Sequence, residues 1–163
     1  MGKLNFLDKI FNRFIKIGAV FGGACLIALT LLITVGIIVR YFGRAIPGIY
    51  ELTEVIIIGG VGFALAYTTY MKGHVVVELL TERLPQRIRL AFETVTYFLS
   101  AVIWGAIVWA SYNFMMDRWL GEKTDLIQIP LFPFRLIWEI GLILTTLAFL
   151  LNSIKAFMKM KDW

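Results

Sequence analysis

The sequence predicts an all-α integral membrane protein with four transmembrane helices and both termini in the cytoplasm. Three observations support this prediction. The 163 residues are 60% hydrophobic and only 17% charged, whereas a soluble domain carries about 25% charged residues. Four apolar stretches are each long enough to cross a bilayer, and most of the basic residues flank these stretches on one side.

The four apolar stretches comprise residues 17–39, 52–71, 90–116 and 132–151. Each has the length of roughly 20 residues that a membrane helix requires. Because every backbone amide in hydrocarbon needs an internal partner, and no segment alternates as a barrel strand does, all four are expected to be helices. Little of the chain remains for a soluble domain, so residues 1–163 form a single membrane domain.

The orientation follows from the positions of the sixteen Lys and Arg residues. Eleven of them lie in the N-terminal flank, the second loop and the C-terminal tail. The other five are Arg40, Arg44, Arg118, Lys123 and Arg135. The excess of positive charge on cytoplasmic segments therefore places both termini and the second loop inside, and the first and third loops outside.

Two further helices are predicted outside the spans. Residues 4–16 carry apolar side chains at helical spacing with Lys and Arg on the other face, which is typical of an amphipathic helix in the membrane interface. Residues 75–84 mix apolar and charged side chains and precede Pro85, a residue suited to the first turn of a helix. We expect a short helix there, at the cytoplasmic surface between the second and third spans.

The chain has few residues that could hold a metal or a cofactor. His74 is the only histidine, which excludes paired haem ligands and a histidine-rich metal site within one chain. Cys25 is the only cysteine and lies inside an apolar run, so that neither a disulfide nor a dithiol can form. We therefore expect no enzymatic activity, no cofactor and no metal. His74 is interpreted as a polar residue at the headgroups or as a contact with a partner subunit.

Two acidic residues stand at the outer end of the second span. Glu51 and Glu54 are three residues apart and therefore share one helical face. Carboxylates at membrane depth usually face protein or water. Pairing with Arg40 and Arg44 of the first loop, a subunit interface and ion coupling all remain open from the sequence.

A second charged pair begins the fourth span. Arg135 and Glu139 are spaced i, i+4, which allows them to neutralise each other on one helical face. The sequence therefore predicts a salt bridge between these two side chains.

Small residues cluster on the first two spans. Gly18 and Gly22, and likewise Gly60 and Ala64, are four residues apart and let helix backbones approach closely. The candidate residues for an interface with a partner subunit are Gly18, Gly22, Arg40, Glu51, Glu54, Gly59, Gly60 and His74.

The order of several motifs resembles the small membrane subunit of tripartite ATP-independent periplasmic (TRAP) transporters, the DctQ-like family, over nearly the whole chain. The motifs are Arg40-Tyr41, Glu51, the stretch from Gly59-Gly60 to Tyr70, Lys72-Gly73-His74-Val75-Val76-Val77-Glu78, Leu84-Pro85 and Ile129-Pro130. Three positions depart from the pattern but keep its chemical character. They are Tyr50, where tryptophan is frequent, Lys72, where arginine is frequent, and Glu78, where aspartate is frequent.

The resemblance implies a scaffold subunit in the bacterial inner membrane. Its partner would be a much larger membrane subunit that holds the substrate and sodium sites, while a periplasmic binding protein delivers an organic acid such as a sialic acid or a C4-dicarboxylate. The alternative is a small proton-coupled exporter that works alone, but that class needs an acid within the first span, and residues 17–39 contain none. A quinone-linked thiol oxidant would need cysteine pairs in the outer loops.

The third loop, residues 117–133, is the longest outward segment and combines aliphatic residues with mixed charge. Such a composition is typical of a weak protein contact, although a solvated connector is also possible. The candidate residues for docking of the binding protein are Arg40, Arg44, Arg118, Lys123, Leu126 and Ile127.

Overall fold

The computed structural model describes residues 2–71, 85–118 and 121–161, with side chains from residue 12 onward. Four helices make up this part of the chain: α1 (Gly2–Tyr41), α2 (Ile49–Tyr70), α3 (Gln86–Asp117) and α4 (Phe132–Lys161). All four are long and apolar enough to cross a membrane. The described residues contain no β-strand, and the fold is all-α as the sequence predicts.

The helices contain nearly all of the four predicted spans but extend beyond them. The predicted interfacial segment, residues 4–16, is helical but runs into the first span without a break, as part of α1. No glycine or proline lies between Gly2 and Gly18, so nothing in the sequence interrupts the helix there. The predicted helix at residues 75–84, together with His74, lies outside the described residues.

A short turn connects α1 to α2. Gly43 and Gly48 have φ angles of 74° and 75°, in the left-handed region that favours glycine. Gly48 is also the N-cap residue of α2. The turn brings the C-terminal end of α1 and the N-terminal end of α2 together, close to the third loop.

The helices pack in the order α1, α2, α4, α3, because α1 packs on α2, α2 on α4, and α4 on α3. In the most apolar stretch of each helix, 28% of α2 and 33% of α4 is buried, against 6% of α1 and 6% of α3. We call α2 and α4 the inner pair and α1 and α3 the outer helices.

Glycines set the distances between neighbouring helices. A Cβ atom added to Gly141 of α4 would lie 2.6 Å from the Cα of Gly62 of α2, so the two backbones touch. Between α1 and α2, a Cβ on Gly60 would lie 2.6 Å from the Cβ of Cys25, and one on Gly22 would lie 3.0 Å from the carbonyl oxygen of Gly60. The glycine spacing thus serves a contact between α1 and α2 of this chain, and the predicted interface with a partner subunit remains a prediction.

Buried polar side chains of α4 tie the inner pair and α3 together. The Asn152 amide donates a hydrogen bond to the carbonyl oxygen of Thr69 on α2, at 2.8 Å. The Ser153 hydroxyl donates to the carbonyl oxygen of Thr94 on α3, at 3.1 Å. Both bonds satisfy a buried side-chain donor and a backbone carbonyl oxygen between helices.

Candidate functional site

The loop between α3 and α4 is folded by its own backbone. Lys123 and Pro130 form an isolated antiparallel bridge. Inside it, the Thr124 amide donates to the Ile129 carbonyl oxygen, and the Ile129 amide donates to the Thr124 hydroxyl, both at 3.0 Å. Gln128 turns the chain with a φ of 60°. We call the described residues 121–131 the outer loop.

Glu51 of α2 holds the tip of the outer loop. Its two carboxylate oxygens accept hydrogen bonds from the backbone amides of Leu126 at 2.6 Å and Ile127 at 2.9 Å. The Ile127 side chain also fills the space beside Gly48, where a Cβ atom would overlap it. Glu51 therefore clamps a segment that is 75 residues away in the sequence.

Arg135 of α4 holds the base of the same loop. Its guanidinium donates a hydrogen bond to the Glu122 carboxylate, and Arg118 lies 3.6 Å from the other oxygen of Glu122. Both arginines stack on the Phe114 ring, with guanidinium carbons 4.4 and 5.0 Å from its centroid. The hydrogen bond from Arg135 is the main reason that the pKa of Glu122 lies below its ordinary value, with desolvation opposing it in part.

The predicted salt bridge between Arg135 and Glu139 is therefore wrong. The Arg135 side chain pairs with Glu122 of the outer loop, where both charged groups stay partly exposed to water. It does not pair with Glu139, one turn further along α4. Glu139 is 5% exposed, and neither of its carboxylate oxygens has a hydrogen-bond partner among the described residues. An ion pair at the outer loop replaces the expected pair on the helix.

The predicted pairing of Glu51 and Glu54 with Arg40 and Arg44 is not seen among the described residues. Glu51 binds backbone amides of the outer loop, which form a fork that matches both of its oxygens. Arg40 instead lies 3.5 Å from the hydroxyl of Tyr50. Sequence analysis found Glu51 but missed its partner, because no local pattern relates α2 to a loop so distant in the chain.

The docking candidates gather at one end of the fold. Leu126 is 70% exposed and Ile127 43% exposed at the tip of the outer loop, and Lys123 is exposed beside them. Because Ile127 packs beside Gly48, this tip also adjoins the turn that follows Arg44. Within the described residues 121–131, the loop thus has an apolar tip with charged side chains beside it.

The candidates for an interface with a partner subunit divide into two groups. Gly18, Gly22 and Gly60 face the contact between α1 and α2 of this chain. By contrast, Glu54 is exposed, and a Cβ atom added to Gly59 would meet nothing within 4 Å. Glu54 thus remains on the open surface of α2, whereas Gly59 is buried.

A cleft opens where α1 ends and α2 begins. It has a volume of about 450 Å³ and a mainly apolar lining that includes Ile33, Ile37 and Ile49, with Arg40 and Tyr50 at its polar side. No group of three or more His, Cys, Asp or Glu side chains in the described part of the chain is arranged to hold a metal ion. The described polar groups at this end therefore provide hydrogen bonds and charge.

Comparison with known protein families identifies the chain. A sequence model of the DctQ component of tripartite ATP-independent periplasmic transporters matches residues 29–159, which include the end of α1, all of α2 and α3, and nearly all of α4. No curated protein sequence matches the chain. The family is one of transporter components, in agreement with a multi-pass membrane protein of four apolar helices. The chain belongs to the DctQ component family of TRAP transporters.

Proposed function

We propose that this chain is the scaffold subunit of a sodium-driven TRAP transporter that imports an organic acid with the help of a periplasmic binding protein. Membership of the DctQ family supports the assignment to such an assembly. The observation that carries the role of this chain is the outer loop, which Glu51 and Arg135 hold in place with Leu126 exposed. The loop is a preformed protein-binding surface on a membrane anchor.

The helices favour a supporting role over a transport site. Transport sites near the midplane are typically formed by discontinuous helices whose free ends bind the substrate and the coupling ion. Each of the four helices here is continuous from its first to its last residue. We therefore assign substrate and sodium binding to the large membrane subunit, which the exposed faces of α1 and α2, including Glu54, would contact.

The outer loop fits a partner that binds and leaves repeatedly. Its exposed aliphatic tip is small and rimmed by Lys123, Asp125 and Arg118, as expected for a transient contact. Because the clamp by Glu51 fixes the loop before contact, little conformational entropy is lost on docking. The loaded binding protein is the partner that meets the outer side of a TRAP transporter in this way.

Charge reversal in the outer loop tests the docking role. Rim charges mainly set association rates, so the double variant Arg118→Glu, Lys123→Glu should lower uptake at limiting binding protein and less so at saturation. The deficit should change with ionic strength, because exposed charges are screened by salt. The matched control is Lys161→Glu, at the opposite end of α4. Parental uptake by the double variant at every binding-protein concentration would contradict the docking role.

Thiol labelling tests the proposed orientation. After Cys25→Ala, a single cysteine at Lys3 or Lys161 should react only from the cytoplasmic side, whereas one at the exposed Asp125 should react from outside. Alanine keeps the Cβ atom that packs against Gly60, so the α1–α2 contact is preserved. Labelling of position 161 from the periplasmic side would overturn the four-span orientation with both termini inside.

A further inference from the structure

A second cleft lies at the other end of the fold, where α3 begins and α4 ends. Its volume is about 430 Å³, and half of its lining is polar. The described residues that line it are Gln86, Arg89, Leu90, Glu93, Lys155, Ala156 and Lys159.

Positive charge dominates this cleft. Among the described charged side chains of the cleft, only Glu93 is acidic, and Glu93 lies 3.3 Å from the Nε of Arg89. The Lys155 ammonium lies 5.0 Å from the centre of the Tyr70 ring, a contact that keeps its charge. Lys159 is exposed and forms no ion pair with any carboxylate in the described part of the chain. Three cations thus converge around one carboxylate.

The start of α3 adds to the positive potential. Gln86, the first residue of this 32-residue helix, lines the cleft, and the first turn contains no acidic residue. The N-cap residue is Pro85, whose side chain accepts no hydrogen bond. The first amides of the helix therefore contribute a partial positive charge in addition to the three side chains.

We propose that this cleft binds the phosphate-bearing headgroup of an anionic membrane phospholipid. Basic pockets between transmembrane helices are typical binding sites for such headgroups, and each cation near the surface adds to the attraction. Both helices that form the cleft are apolar enough to cross a membrane, and the cleft lies at their ends, where these helices would meet the lipid headgroups. Buried Leu90 and Ala156 give the cleft an apolar floor. The site needs no other transporter subunit.

Native mass spectrometry of the purified full-length chain tests this site. We expect the parent to retain phosphatidylglycerol more strongly than phosphatidylcholine with the same acyl chains. The variant Lys159→Gln should bind phosphatidylglycerol about fivefold more weakly, the effect of one cation near the membrane surface. Lys159→Arg should keep the affinity. The matched control is Lys161→Gln, two residues further along α4 and outside the cleft, which should bind as the parent does.

Three results would overturn the proposal. The first is equal retention of the two lipids by the parent. The second is an equal loss of phosphatidylglycerol from Lys159→Gln and Lys161→Gln, which would indicate general surface charge. The third is displacement of the lipid by soluble glycerol 3-phosphate at equal concentration, which would identify a site for free phosphate esters. Circular dichroism should show unchanged helix content in Lys159→Gln, so that weaker lipid binding can be attributed to the cleft.

Discussion

The inner pair and the outer helices use the same apolar composition for different purposes. In α2 and α4, about a third of the most apolar stretch is buried inside the chain, whereas almost none of α1 and α3 is. Glycines bring the backbones of α2 and α4 together, and Asn152 bonds α4 to α2. The outer helices instead present large aliphatic and aromatic side chains outward, such as Ile27 and Trp109.

This difference teaches that small and polar side chains, more than large apolar ones, mark the interior of a small membrane protein. Lipid tails are as apolar as leucine, so aliphatic residues gain little from burial between helices. Small and hydrogen-bonding side chains gain more, because close packing and satisfied polar groups are what lipid cannot provide. The exposed aliphatic faces of α1 and α3 remain available to lipid or to the large subunit.

The largest effect is expected from a substitution at the closest contact between α2 and α4. Gly141→Ala would place a Cβ atom 2.6 Å from the backbone of Gly62, so α2 and α4 must separate. We expect a loss of about 1–3 kcal/mol in the free energy of unfolding, measured by SDS-induced unfolding in mixed micelles. The control is Gly59→Ala, where the added carbon meets nothing within 4 Å. Equal effects of the two variants would show that this backbone contact does not hold the pair together.

The four spans could be predicted from the sequence because the bilayer imposes a length and a composition on each helix. The glycine spacing on the first two spans indicated faces that can pack closely, but not that α1 and α2 would pack on each other. The sequence did not reveal that Gly62 meets Gly141, because the two residues are distant in the chain. Local spacing predicts which faces can pack, and the three-dimensional arrangement decides which face meets which.

The candidate site was predictable in its residues but not in its bonds. Charge and aliphatic content indicated the outer loop, and Glu51 stood out as an acid near the membrane. The spacing rule for Arg135 and Glu139 failed because Glu122, in the loop, offers the same guanidinium a better-solvated carboxylate. A helical i, i+4 rule considers only one helix, whereas an arginine at a helix end can also reach the adjoining loop.

The next prediction compares two buried polar side chains of α4. Asn152 donates a hydrogen bond to α2, whereas Glu139 has no hydrogen-bond partner among the described residues. Asn152→Leu should lower the free energy of unfolding by about 0.6 kcal/mol, the average for hydrogen bonds between membrane helices. Glu139→Met, similar in size but apolar, should raise it, because an unsatisfied buried group is removed.

Each of these two variants serves as the reference for the other. Both change a buried side chain of the same helix. In SDS-induced unfolding, the change in the free energy of unfolding should have opposite signs in the two variants. A destabilised Glu139→Met variant would mean that the carboxylate has a partner in the folded protein. Glu139 would then be a residue that stabilises the fold instead of one that destabilises it.

The smallest expected effect concerns the outer loop, which follows an outer helix but is anchored to both members of the inner pair. The ion pair between Glu122 and Arg135 requires the ionised carboxylate, and the pKa of Glu122 is lowered in the folded loop. A lowered pKa means that this contact stabilises the folded outer loop fully above the ordinary carboxyl pKa of about 4.3. The stabilisation is lost as the pH falls through the lowered pKa.

A nitroxide attached to a cysteine at Asp125 should therefore be immobile at neutral pH and gain mobility in acid, as its electron paramagnetic resonance spectrum reports. Glu122→Gln should be more mobile at neutral pH and show a smaller acid step, the remainder belonging to Glu51. If Glu122→Gln shows the parental spectrum at every pH, the loop is held by Glu51 of α2 alone, and the base of the loop contributes nothing to its order.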